Sequence, residues 1–199
     1  LDKDLLEKEL NFKINRSTIL VTFHPATLDK TSSDIYFKHV LDAIDADNSL
    51  RVIFTKTLAD TDGRVINTMI DEYVAKNSDR CMASISLGQL KYVSALNYIG
   101  AVVGNSSSGI IETASVPVAT VNIGDREKGR ICPDNVINSE NSIEGISDAL
   151  RQALSPEFQS KVQAVVNPYE KEGTARLIFN ELSSFYKDHG SKEFFDIIP

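Results

Sequence analysis

Tryptophan is absent from the 199 residues, and cysteine and methionine occur twice each. Cys81 and Cys132 are isolated, with no CxxC pair and no Cys/His spacing, so no zinc site can be built on them. Nothing demands an oxidising compartment, and a reducing, cytoplasmic setting is the expectation. Basic side chains are in deficit: 21 Lys and Arg stand against 28 Asp and Glu, a net charge of −7. Phosphate backbones are bound by clustered Lys and Arg, so a nucleic-acid partner is not expected. No apolar run nears the roughly 18 residues of a membrane span, and no segment has the layout of a signal peptide. Internal repeats, low-complexity tracts and a glycine-rich linker are missing too. The GxGxxG dinucleotide fingerprint is absent. Gly104 and Gly109 have P-loop spacing, but Ile110-Ile111 stands where Lys-Ser/Thr is required. The same turn reads G-x-S-x-x-G, one residue too long for a nucleophile elbow, which makes Ser106 a poor nucleophile.

What is present supports a real core: 42% hydrophobic and 25% charged residues are ordinary globular values. From residue 17 to about 154, apolar runs alternate with helical patterns, the mark of repeated βα units and a parallel sheet. Strands are expected at 18–23, 51–55, 81–85, 101–103, 118–123 and 135–137, with helices at 34–46, 63–76, 87–98, 108–115 and 142–154. The run 101–103 is short and wholly apolar, which predicts a central strand. Ser155-Pro156 and Asn167-Pro168-Tyr169 are breaks, and 174–186 is a further amphipathic helix. Leu1-Asp2-Lys3 lacks an initiator Met and runs into a charged helical pattern at 4–10, so a piece of a longer protein is expected. Three parts follow: a linker and helix at 1–16, an α/β domain at 17–165, and a helix and tail at 166–199.

In open α/β sheets, ligands bind at the carboxyl ends of the strands. The run Gly104-Asn105-Ser106-Ser107-Ser108-Gly109, followed by Ile110-Ile111-Glu112, is a strand–turn–helix unit that points backbone N–H groups at one spot and favours phosphate. Glu112 lies one helical turn beyond Ser108 and shares its face. An ionised carboxylate repels a diphosphate but accepts hydrogen bonds from neutral sugar hydroxyls. Together they suggest a nucleotide, with phosphate on the turn and ribose on Glu112; an ordinary capped helix with an exposed Glu is the alternative. His24-Pro25 ends the first strand, where an imidazole could donate to phosphate or relay a proton. Lys56, Asp60 and Asp62 follow the second strand, with Asp62-Gly63 expected to be a turn with a helix cap. The Ser86-Leu87-Gly88 backbone could meet a flat base edge. At 122–130 three cations fall within five positions, and Arg126 could neutralise a diphosphate with its forked donors. A solvated charged loop, with Glu127 as local partner, is the alternative there.

Phe23-His24-Pro25, Phe54-Thr55 with Ala59-Asp60 and Gly63-Arg64, the 104–112 and 122–130 blocks and Asn167-Pro168-Tyr169 occur in this order. In this the chain resembles UDP-N-acetylglucosamine 2-epimerases, most nearly the hydrolysing type of bacterial sialic and legionaminic acid synthesis. The resemblance spans essentially the whole chain. It implies a Rossmann-like domain with helices on both faces, the C-terminal half of a two-domain GT-B-type enzyme whose active site lies in the cleft. The resemblance implies that Ser106 and Ser107 hold the diphosphate with Arg126, within a UDP-binding set that includes Gly104 and Asn105. Glu112 would take the ribose hydroxyls, the Leu87-Gly88 backbone the uracil, and His24 the phosphates and reacting sugar. Implied partners are UDP or a UDP-amino sugar and the chain's own N-terminal domain, with a homo-oligomer left open; no metal or cofactor is implied.

The implied reaction eliminates UDP across C1–C2 of the sugar, and water then adds to release N-acetylmannosamine or a diacetamido relative. The carboxylates that move the C2 proton belong, in the family, to the N-terminal domain. Three positions depart from the pattern: Leu58 for a common Asn, Ala119 for a proline with Pro117 two residues earlier, and Glu170 for a glycine. They bear on substrate identity more than on chemistry. The last helix in this architecture often crosses back onto the first domain, and in an isolated half the apolar tail at 194–199 is expected to be loose, packed on a neighbour or folded into the empty cleft; a simple C-terminal docking segment is the alternative. A non-hydrolysing epimerase, a GT-B glycosyltransferase domain and a stand-alone nucleotide-sugar binding module are the other readings.

Overall fold

The central strand runs alternate their side chains between two faces, and both faces are apolar, which requires helices on each side. In a computed structural model, describing residues 1–25, 32–57 and 61–188, six strands form one wholly parallel sheet. They are β1 (Thr18–Thr22), β2 (Arg51–Thr55), β3 (Cys81–Ser84), β4 (Ala101–Gly104), β5 (Ala119–Ile123) and β6 (Val136–Ser139), in the order β3-β2-β1-β4-β5-β6. This is the Rossmann-like α/β arrangement, in which the winding reverses between β1 and β4. The two strands pair from Ile19 opposite Ala101 to Thr22 opposite Gly104, so the loops after both open side by side.

Ile19, Val21, Val52 and Phe54 face one core with Phe37 and Ile44 of α2 (Ser33–Asp45), Ile66 of α3 (Thr61–Lys76) and Leu150 of α6 (Ile143–Ala153). Leu20, Ile53 and Val102 face the other, against Leu6 of α1 (Lys3–Leu10) and Leu96 of α4 (Gly88–Leu96). Phe37 and Phe54 are fully buried, contributing about 1.5–3 kcal/mol each by removal from water. Helix starts follow the sequence: Asp2 accepts from Leu5 N–H, Ser142 from Gly145 N–H, and Ser155 from Phe158 N–H ahead of α7 (Pro156–Lys161), with proline in its first turn.

Some expectations shift. Residues 1–16, read as linker and helix, put Leu6, Phe12 and Ile14 into the second core, because the strand face above α4 needs covering. The compact unit runs Leu1–Pro168, and Tyr169–Pro199, with α8 (Thr174–Asp188), forms another. The helix expected at 108–115 divides into α5 (Ser108–Ile111) and a 3-10 turn at Thr113–Ser115. Thr113 Oγ1 donates to the Gly109 carbonyl four residues back, a bond that competes with regular helix continuation. Asp62-Gly63 is no turn; both lie in the first turn of α3, where the Asp62 charge favours the helix dipole. Leu58, Ala59-Asp60 and the tail at 194–199 lie outside the described residues.

Candidate functional site

At the carboxyl edge the loops after β1, β2, β3, β4 and β5 gather. Gly104 closes β4 at φ 138°, and a Cβ there would lie 1.9 Å from the Thr22 carbonyl oxygen. Only glycine fits against β1 at this point, so Gly104 serves the approach of two strands. The next residue, Asn105, is 3% exposed, and its carboxamide is spent on the β1 loop. Its Oδ1 accepts from His24 N–H at 2.7 Å while its Nδ2 donates to the His24 carbonyl at 2.8 Å. Asn105 therefore holds the loop, and its side chain does not extend toward a ligand.

Ser106, Ser107 and Ser108 follow. Their backbone N–H groups meet no acceptor among the described residues, while Gly109, Ile110 and Ile111 N–H groups are taken by Ser106 and Ser107 carbonyls. Three consecutive backbone donors without an acceptor among the described residues, at a strand end, have the arrangement that an anion would satisfy. With α5 only one turn long, the dipole adds little, and these N–H groups carry the preference.

A cleft of about 560 Å³ opens beside this turn, lined by Ser106, Ser108 and Glu112, by Leu87 and Gly88 at the start of α4, by Tyr92, and by Thr22, Thr55 and Lys56 at the ends of β1 and β2. Glu112 is exposed toward solvent rather than turned into the core. Ser108 donates to Glu112 Oε2, and the Tyr92 hydroxyl contacts Ser108 Oγ. Burial pushes the Tyr92 hydroxyl up to about 12, the Glu112 charge adding to the effect. Lys56 is anchored to Asp71 at 2.7 Å and brings positive charge to the same wall.

Arg126 lies in an adjoining hollow of about 250 Å³, shared with Asn105 and Phe23. Its Nη1 donates to the Asn105 carbonyl at 2.9 Å and to Glu127 Oε1 at 2.8 Å. The 122–130 and 104–112 loops thus meet at the residue before Ser106. Glu127 is only 5% exposed and also accepts from Arg130 Nε; it is a buried anchor for two guanidiniums. His24 Nδ1 lies 2.8 Å from Thr57 Oγ1, and Thr57 is in turn held through both backbone groups by Asn67, at 3.0 and 3.1 Å. His24 borders the turn through Asn105 but lines neither hollow, and Ser107 lines neither as well.

The structure thus draws Ser106, Glu112, Leu87 and Gly88 into one cleft and sets Arg126 beside it. Sequence reasoning missed Tyr92, Thr57 and Asn67 as members of the site. Each acts on a partner at least ten residues away, and no local spacing signals that. Among the described residues no His, Cys, Asp and Glu cluster suits a metal ion, and no helix is long and apolar enough to cross a membrane.

Residues 1–183 match the family model described as UDP-N-acetylglucosamine 2-epimerase. A GDP/UDP-N,N'-diacetylbacillosamine 2-epimerase (hydrolyzing) of Campylobacter jejuni is 38% identical over 80% of this chain and 41% of its own length. Polysialic acid biosynthesis protein P7 of Escherichia coli is 34% identical over 96% of this chain and 49% of its own length. The chain therefore spans under half the length of either relative. Among solved structures, the UDP-GlcNAc 2-epimerase from Neisseria meningitidis bound to UDP-GlcNAc superposes with a TM-score of 0.71 over 92% of this chain and 49% of that one, at 14% identity.

Proposed function

Because this chain belongs to the UDP-N-acetylglucosamine 2-epimerase family, we propose that it is the nucleotide-binding half of a hydrolysing UDP-sugar 2-epimerase, with the N-terminal half supplied by the rest of a longer protein. One observation carries this: the 106–108 turn, whose N–H groups meet no acceptor among the described residues, borders a cleft through Ser106 and Ser108 beside an exposed carboxylate, and an anchored arginine bonds the carbonyl just before the turn. Anion donors next to a hydroxyl acceptor are the two recognition elements of a nucleoside diphosphate. The name of the Campylobacter jejuni relative supports the hydrolysing chemistry and a diacetamido sugar.

In this reading the 106–108 turn and Arg126 bind the diphosphate, Glu112 the ribose and the Leu87-Gly88 backbone the uracil. As the C1–O bond breaks, negative charge grows on the departing diphosphate, and donors already in place stabilise it without reorganisation. His24, held at Nδ1 by Thr57, stands at the loop nearest the leaving group as a donor or proton relay. The C2 proton is moved by carboxylates of the N-terminal half, so this chain alone binds UDP without turnover.

Calorimetry with UDP tests the site. Arg126→Ala and Glu112→Ala should each weaken binding by roughly 10- to 100-fold, the loss of one charge-assisted contact. Unchanged affinity in both would remove the assignment. In the full-length protein, release of free sugar together with UDP separates the hydrolysing reaction from simple epimerisation of the UDP-sugar.

A further inference from the structure

Ser108 Oγ carries a single proton, and Glu112 Oε2, an acceptor-only carboxylate oxygen, takes it. The contact between Tyr92 and Ser108 must therefore run the other way, with the tyrosine as donor. A directed chain results, Tyr92 O–H to Ser108 O–H to the Glu112 carboxylate, leading from α4 across the cleft wall to α5 and the turn beyond. All three residues line the cleft, and the high pKa of Tyr92 keeps its proton in place throughout the working pH range.

The chain has a geometric effect. A glutamate on a helix surface samples several rotamers, and an exposed carboxylate contributes little when its position is not fixed. Here Oε2 is pinned from one side, while Oε1 has no partner among the described residues. Hydrogen bonds in series strengthen one another, so Glu112 is held firmly, and a carboxylate already immobilised gives up less entropy when it meets a pair of neighbouring hydroxyls.

We propose that Tyr92 and Ser108 are specificity-determining residues: by pinning Glu112 they make this cleft select a ribose diol over a sugar that lacks it. The inference rests on the nucleotide reading above. It concerns selectivity, and it assigns Tyr92 a hydrogen-bonding task beyond any contact its ring makes with a bound base.

The test is calorimetry of UDP and of 2′,3′-dideoxy-UDP with the 199-residue chain, its Tyr92→Phe and Ser108→Ala variants, and Tyr92→Leu. The wild type should prefer UDP by about tenfold or more, one good charge-assisted contact. Tyr92→Phe and Ser108→Ala should each cut that preference to about threefold or less, through a larger loss of UDP affinity than of dideoxy-UDP affinity. Affinity for dideoxy-UDP doubles as the folding control, since a misfolded variant loses both ligands. Tyr92→Leu should weaken both nucleotides and also lose the preference. If Tyr92→Phe leaves the ratio as in the wild type, or lowers both affinities by the same factor, the pinning role is overturned while the nucleotide site stands. If the wild type binds neither nucleotide, the nucleotide reading fails and the inference with it.

Discussion

Asn105→Ala probes the joint on which the site is assembled. The wild-type carboxamide makes two hydrogen bonds to the backbone of one residue, at 2.7 and 2.8 Å, from a position that is 3% exposed. Alanine removes both partners and leaves the His24 N–H and carbonyl facing a polar hole. Each backbone group stranded in this way costs about 1–3 kcal/mol. His24 is half-buried, so water recovers part of that, and a loss centred on about 3 kcal/mol is expected. For a domain of this size that corresponds to a fall in Tm of roughly 6–12 °C. Thermal unfolding followed by circular dichroism measures it directly. The Asn105 carbonyl that receives Arg126 belongs to the backbone and survives the substitution, so UDP binding below the new Tm should fall much less than in Arg126→Ala. A Tm within about 2 °C of the wild type would refute the reasoning, because buried bonds of this geometry cannot be lost so cheaply.

Gly104→Ala should be more severe than Asn105→Ala, since the new Cβ would meet the Thr22 carbonyl at 1.9 Å in a backbone conformation that side chains disfavour; failure to recover folded protein, or a larger Tm loss, is the expected outcome. The Lys13 bond and the Ile14 N–H hold the Glu7 carboxyl below its ordinary 4.5. Its charge therefore stabilises the fold above that value, and the benefit is lost as pH falls through the depressed folded pKa. Glu7→Gln should lower Tm at pH 7, with the difference from wild type shrinking toward pH 3. Burial pushes the Cys81 thiol up to about 11, whereas Cys132 is exposed. A thiol reagent at pH 8 should titrate one group at once and the second only after denaturant is added.

The sheet was readable because its strands are buried on both sides, and continuous apolar runs such as 101–103 have no competing interpretation as surface helix. Boundaries were less so. β6 begins at Val136 rather than 135, although the Asn135 carbonyl already accepts from Thr120 N–H of β5; the fully buried Asn135 side chain donates to the Thr113 and Val118 carbonyls. The split of the 108–115 helix depends on a threonine hydroxyl choosing a carbonyl, which propensity does not encode. Within the site, the 104–112 turn was legible from its glycines, serines and following glutamate. The roles were not: Gly104 spaces strands, Asn105 grips a loop, and Tyr92 joins Glu112 through a serine 16 residues away. Those assignments depend on which loops the winding reversal brings together, and sequence order alone hides that neighbourhood.

The two carboxamides, Asn105 on His24 and Asn67 on Thr57, behave as a surrogate strand. Each offers the backbone N–H and C=O of one residue the acceptor and donor that a neighbouring chain would have offered, just past the point where real pairing stops. Ladder order is thereby carried beyond the sheet's rim into segments that would otherwise wander. His24 can then sit on a loop, with the reach that loops have, and keep much of the stiffness of a strand.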